Sequence, residues 1–235
     1  MLRLLHRLPV IVLVPAALLA VPRPVDAQEK SVKPGINKPF ENPKVETWVE
    51  RFEREGREIY EKRKEIAKAC GIAPGKVVAD VGAGTGFYTR LFAKIVGKEG
   101  KIYAVDIAQP FLEHIAESSK KEGLTNVETI HCTPDDSKLP ADSVDIVFIC
   151  DTYHHFEFPR KTMASIYRAV KPGGTVCVID FHRIKGRTSD WIMNHVRAGQ
   201  EVFRKEIESV GFRYDGEVKG LLKSNYLMRF RKPAR

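Results

Sequence analysis

A chain of 235 residues that is 43% hydrophobic and 29% charged has the make-up of a folded domain with a full core, which excludes a disordered or low-complexity polymer. Its formal net charge of +9 is moderate. The densest basic run, Arg229 to Arg235, stands outside any nucleic-acid-binding signature, so it reads as a strand end plus a tail and no nucleic-acid partner is expected.

The chain opens on a basic stretch, Met1 to Arg7, followed by an almost wholly apolar block over residues 8–21 and by Val25-Asp26-Ala27 before Gln28. That order of charged, apolar and small residues predicts a signal peptide over residues 1–27 and an exported protein. The apolar block is short for a membrane span, so no stable span is expected, although an anchor through residues 8–21 is the alternative. Residues 28–43, with Pro34, Gly35, Pro39 and Pro43, predict an extended linker. From Lys44 to Cys70 apolar residues recur at helical spacing and predict one long amphipathic helix, bent near Gly56.

From residue 72 the pattern alternates. Strands are expected at Lys76–Val81, Lys101–Asp106, Val127–Cys132, Val144–Cys150 and Thr175–Phe181. Between them helices are expected at Phe87–Val96, Pro110–Lys121 and Pro159–Val170, with a turn over Lys171-Pro-Gly-Gly174. A helix over Gln200–Val210 closed by Gly211, then strands at Phe212–Val218 and Asn225–Arg231, finish the chain. Strand and helix in succession imply an α/β, doubly wound, mostly parallel sheet. The last two strands have no helix between them and must form an antiparallel edge. Cys70, Cys132, Cys150 and Cys177 make no metal-binding pattern and read as small apolar residues; export would permit disulfides that the sequence does not pair.

The first strand runs into Gly82-Ala83-Gly84-Thr85-Gly86. A dinucleotide-binding turn carries its third glycine one position later, where this chain has Phe87. Asp80 before the turn would repel a pyrophosphate and suit a cation. Asp106, ending the second strand, is placed to accept hydrogen bonds from a ribose. Two acids around a turn without Lys or Arg favour a positively charged, phosphate-free nucleoside.

With these residues the chain resembles the class I S-adenosylmethionine-dependent methyltransferases, of the small-molecule group typified by quinone-biosynthesis methyltransferases. The resemblance covers about residues 72–232 and rests on Val77-Val-Ala-Asp-Val-Gly-Ala-Gly-Thr-Gly86, Ala104-Val-Asp-Ile107, Leu139-Pro-Ala-Asp-Ser-Val-Asp-Ile-Val147 and Val170-Lys-Pro-Gly-Gly-Thr-Val176. It implies a seven-stranded, Rossmann-like sheet with one antiparallel strand at its C-terminal edge, in a methyltransferase domain over residues 72–235. It implies S-adenosylmethionine as cofactor, with Asp80, Gly82, Ala83, Gly84 and Gly86 around the methionyl part. Asp106 would hold the ribose and Ile107 lie against the adenine, with Asp135 or Asp136 near the adenine amino group. Asp151 is a further cofactor-binding candidate.

Tyr153, His154 and His155 follow the fourth strand, His182 follows the fifth, and His195 precedes the next helix. All five are expected at one mouth, with His154 as the first choice for a catalytic base and Tyr153 and His195 beside it. Three converging histidines could instead bind a metal. Because adjacent histidines tend to point apart and no pair has ligand spacing on a helix, no metal is expected. Trp48, Phe52, Arg54, Arg57 and Tyr60 of the N-terminal helix (residues 44–71) are candidates for a lid. An Asn-Pro-Pro-Tyr-type motif and a Pro-Cys pair are missing, which leaves an O, S or activated C atom of a small molecule as acceptor. The alternatives are an exported S-adenosyl-ligand-binding protein without turnover, since the cofactor is made in the cytosol, and an NAD-dependent oxidoreductase.

Overall fold

The computed structural model describes residues 30–234. The expected signal peptide, and the alternative anchor over residues 8–21, lie outside the described residues. No helix among the described residues is long and apolar enough to cross a membrane.

Seven strands form one sheet: β1 (Val77–Val81), β2 (Lys101–Asp106), β3 (Val127–His131), β4 (Val144–Cys150), β5 (Val170–Phe181), β6 (Arg213–Glu217) and β7 (Asn225–Arg231). Their order is β3-β2-β1-β4-β5-β7-β6. The first five are parallel, and β7 runs antiparallel to both β5 and β6. The reversed strand is therefore inserted one place in from the edge, and β6 closes that side. This is the expected Rossmann-like methyltransferase sheet.

Both faces of the sheet are apolar because both are covered. On one face Val78, Ile102, Ile146, Phe148, Cys177 and Leu227 pack against helices α3 (Arg63–Ala69) and α4 (Phe87–Val96). On the other, Ala79, Val81, Val105, Val147, Ile149, Val176 and Val178 pack against α6 (Pro159–Ala169) and α8 (Gln200–Ser209). Successive residues of a strand thus serve alternate layers. The four cysteines are free; Cys70 and Cys177 are buried, and Cys132 and Cys150 are half-buried.

The N-terminal region departs from the expectation. The single long helix is three: α1 (Val45–Phe52), α2 (Glu58–Glu61) and α3. The break is at Gly56, whose φ of 82° falls in the left-handed region. Two apolar stripes require it. Ile59, Ile66, Ala67 and Cys70 pack onto the sheet, whereas Trp48 and Phe52 turn onto the carboxyl ends of the strands. One straight helix cannot face both surfaces. Residues 28–43 are likewise no extended linker where they are described. A 3₁₀ turn at Lys38–Phe40 sets the Phe40 ring 4.8 Å from Trp48. The Val32 amide donates to the Glu157 carbonyl, and Asn37 Nδ2 donates to the His155 carbonyl.

Two smaller differences lie further on. The turn at Lys171–Gly174 is absorbed into β5 as an irregularity, where the register with β4 shifts between Val144 and Ile146. A short helix the periodicity did not reveal, α7 (Asp190–His195), is capped by Ser189, whose Oγ accepts from the Ile192 amide. Six residues make fewer than two turns, too few to display a helical period.

Phe148 is fully buried between Tyr88 and Phe92, with ring centroids 4.6 and 5.0 Å away. Phe148→Ala is expected to cost about 3–5 kcal/mol of stability in urea unfolding; a loss below about 1 kcal/mol would mean that this layer is not close-packed.

Candidate active site

Strands β1 to β5 point their carboxyl ends at one cavity of about 890 Å³. The sheet order reverses between β1 and β4, which is where an open α/β sheet splays its loops and leaves room for a ligand. Aromatic rings make much of the wall, among them Phe40, Trp48, Phe52, Phe181 and Trp191.

The glycine turn after β1 forms the floor. The Gly82 and Ala83 amides donate to the Val105 carbonyl, and the Gly84 amide donates to Asp106 Oδ2 at 2.8 Å. Gly82 has φ 74°, and a Cβ there would overlap Thr152. Gly82, Ala83 and Gly84 line the cavity, but Gly86 does not. Gly86 is the N-cap of α4, at φ 74°, and a Cβ on it would run into Ile115. Its requirement for glycine comes from helix packing, not from ligand contact.

Asp80, Asp106, Ile107 and Asp151 line the cavity. Asp80 is buried and accepts from Thr89 Oγ1 at 2.7 Å; burial raises its carboxyl to about 7, and the nearby Asp106 adds to the rise. Asp106 accepts from the Gly84 and Ala108 amides, one on each oxygen, while burial pushes its pKa up against those bonds. Asp151 sits at φ 50°, a left-handed conformation rare for a non-glycine residue. It accepts from Arg57 Nη2 at 2.9 Å and Asn225 Nδ2 at 2.6 Å, and burial raises it to about 6 despite the arginine.

Asp135 and Asp136 are not brought to the site. Asp135 accepts from Thr133 Oγ1, and Asp136 caps its own loop by accepting from the Lys138 amide. The wall after β3 is Cys132, Thr133, Pro134 and Ser137 instead.

Beyond β4 a 3₁₀ turn at Tyr153–His155 sorts the aromatic triplet. Tyr153 faces away from the cavity. It is fully buried against Phe156 and Phe203 with Arg197 over its ring, and its hydroxyl lies toward Glu206. His182 lies against Tyr226 rather than in the cavity wall. His154, His155 and His195 do line the cavity. The rings of the adjacent pair do not diverge: their centroids are 4.3 Å apart. His154 Nδ1 lies 2.8 Å from Asp180 Oδ1, and its backbone amide donates to Asp180 Oδ2. A carboxylate only accepts, so Nδ1 of His154 donates in this bond and Nε2 is the ring nitrogen left for the cavity. Burial, and then the neighbouring His154, lower His155 to about 2 and His195 to about 4, so both rings are neutral at pH 7. Asp180 was not legible as a site residue, because its partner His154 lies 26 residues away on another element.

Of the expected lid residues, Trp48, Phe52, Arg54 and Arg57 line the cavity; Tyr60 does not, and packs tilted against Phe87, which does. Two ion pairs fasten this roof, Arg57 to Asp151 and Arg90 to Glu53, each at 2.9 Å.

Residues 79–178 match the family described as Methyltransferase domain. The Ubiquinone/menaquinone biosynthesis C-methyltransferase UbiE of Hydrogenovibrio crunogenus is 31% identical over 123 residues, 52% of this chain and 48% of that one. The demethylmenaquinone methyltransferase of Geobacillus stearothermophilus is 32% identical over 117 residues, 49% of this chain and 50% of that one. The chain thus spans about half the length of the curated relatives it matches. Among solved structures, a SAM-dependent methyltransferase from Aquifex aeolicus has a TM-score of 0.71 at 26% identity, over 79% of this chain and 97% of its own. The [4+2]-cyclase SpnF shares the fold with a TM-score of 0.63 at 16% identity, over 74% of this chain and 81% of its own.

The donor set fits S-adenosylmethionine: buried carboxylates for a cation and for ribose hydroxyls, glycine backbone for close approach, and an apolar wall at Ile107 and Phe111. With Asp80 at about 7 in the free protein, the ionised form that attracts a cation is lost as pH falls. Affinity for the sulfonium is expected to drop about fivefold between pH 7 and pH 6 in calorimetry. Asp80→Asn should bind weakly with a flattened profile; a flat profile in the unmodified protein would remove Asp80 from cation recognition.

Proposed function

We propose that the chain, by its likeness to the class I S-adenosylmethionine-dependent methyltransferases, moves a methyl group to an O, S or activated C atom of a small molecule. The observation that carries this reading is one cavity that joins the glycine turn and its acids to the His154–Asp180 pair. S-adenosylmethionine, when bound, supplies a methyl group on a sulfonium that departs as a neutral thioether. The chain's own residues supply position and proton transfer. Asp80, Asp106 and the Gly82–Gly84 backbone hold the cofactor, and the aromatic roof of Phe40, Trp48 and Phe52 excludes water from it.

Acceptor binding falls to the wall around Phe156, Phe181, Trp191 and the three histidines. Aromatic surfaces of this kind favour a flat, ring-bearing acceptor. The names of the relatives from Hydrogenovibrio crunogenus and Geobacillus stearothermophilus agree with such a ring. His154 Nε2 takes the proton that the acceptor gives up, and buried Asp180 steadies the imidazolium that results.

A labelled-methyl transfer screen against phenols, thiols and quinols tests the assignment. His154→Ala is expected to lower turnover about 100-fold or more, with cofactor affinity changed less than about threefold. Tyr153→Phe, altered at a hydroxyl outside the cavity, should stay within about twofold of the unmodified protein. Normal turnover in His154→Ala would take the histidine out of the reaction, and an absence of S-adenosylmethionine binding would end the assignment.

A further inference from the structure

His154, His155 and His195 each present a ring nitrogen within 4.8 Å of the other two. His195 closes the group from α7: its ring centroid is 5.0 Å from that of His154 and 5.1 Å from that of His155. A single base needs one imidazole, not three. Two further observations point to an ion. Asp180 grips Nδ1 of His154, which leaves Nε2 free and fixes the ring, as a carboxylate behind a metal-bound histidine does. Nδ1 of His155 is buried and has no hydrogen-bond partner.

We propose that His154, His155 and His195 bind one divalent transition-metal ion of the zinc type, with a fourth position open to the cavity. Three imidazoles without a carboxylate or thiolate in the ligand set favour zinc, copper or nickel over magnesium or calcium. Nitrogens about 2.05 Å from a tetrahedral ion stand about 3.3 Å apart, so closing the site requires each ring to move inward by less than about 1 Å. His195 has that freedom, since its short helix carries no buried residue.

The open position would take an anion. Three neutral imidazoles leave the ion's double positive charge uncancelled. Lys33 adds a cation beside the group, with its Nζ donating to the Asn194 and His195 carbonyls. The ligand that completes the site is therefore the deprotonated oxygen or sulfur of the acceptor, such as a phenolate or thiolate. With the ion in place, the acceptor loses its proton to solvent because the ion stabilises the anion, and His154 is a ligand; without it, His154 is the base. This rests on reading the histidine side of the cavity as the acceptor side.

Chelator-stripped full-length protein titrated with Zn²⁺ in a calorimeter tests it, with Co²⁺ absorption as a second readout. The expected result is one ion per chain, a tetrahedral cobalt spectrum and no heat with Mg²⁺. His195→Ala should weaken zinc about 100-fold and Asp180→Asn about 10–100-fold. No uptake, or equal affinity in His195→Ala and the unmodified protein, overturns the site. S-adenosylmethionine titrated into the same stripped sample separates the two readings. Cofactor binding without zinc uptake sinks the metal site alone, and zinc uptake without cofactor binding sinks the methyltransferase reading alone.

Discussion

Two backbone amides, those of Gly84 and Ala108, come from the turns that follow adjacent parallel strands, and the Asp106 carboxylate accepts both, one on each oxygen. Without an acceptor there, two buried donors would lose their hydration uncompensated. The bond to Gly84 holds the glycine turn against the end of β2, and the Gly82 and Ala83 amides reach the carbonyl just before Asp106. One carboxylate thus fixes the floor of the cavity and still has lone pairs to offer a ribose. The same burial that makes these bonds strong also makes the charge expensive, and Asp106 is pushed up for that reason.

From that floor the cavity divides its chemistry by strand. Acids stand at the carboxyl ends of β1 and β2, Asp80 as the last residue but one and Asp106 as the last, and the histidines follow β4 or arrive from α7. Asp151 connects the parts: at the end of β4 it takes Arg57 from the roof and Asn225 from β7. Its left-handed backbone turns the side chain toward both partners. The likeness to a cyclase at 16% identity is a reminder that the scaffold alone does not name a reaction. The reaction has to be argued from the side chains at the strand ends.

Much of the parallel sheet was legible because its signals are local. The apolar run Val144–Cys150 and the helix Phe87–Val96 occur with the expected bounds. The glycine turn and Asp106 were legible for the same reason, since spacing and chemistry sit in one short stretch. The N-terminal region was not. Helical period extends from Trp48 to Cys70 and Gly56 marked a bend, but the two halves serve different surfaces, so the bend is a full break, and no local pattern encodes that. Asp135 and Asp136 were plausible by loop position, yet both are used to shape their own loop. The pairing of His154 with Asp180 crosses from the 3₁₀ turn to the end of β5, so only the fold could reveal it. Tyr153 and His154 are neighbours in sequence and diverge in space, whereas His154 and His155 converge, because a tight 3₁₀ turn sets side-chain directions unlike those of a strand.

The chain contains two tryptophans, and both stand in the cavity wall. Trp48 belongs to the roof, with the Arg51 guanidinium over its ring, and Trp191 stacks on His195. All indole emission of this protein therefore originates beside the binding space, so an unlabelled sample carries its own optical gauge of filling. With Trp191 replaced by phenylalanine the remaining indole would read the cofactor chamber, and with Trp48 replaced the other would read the imidazole cluster.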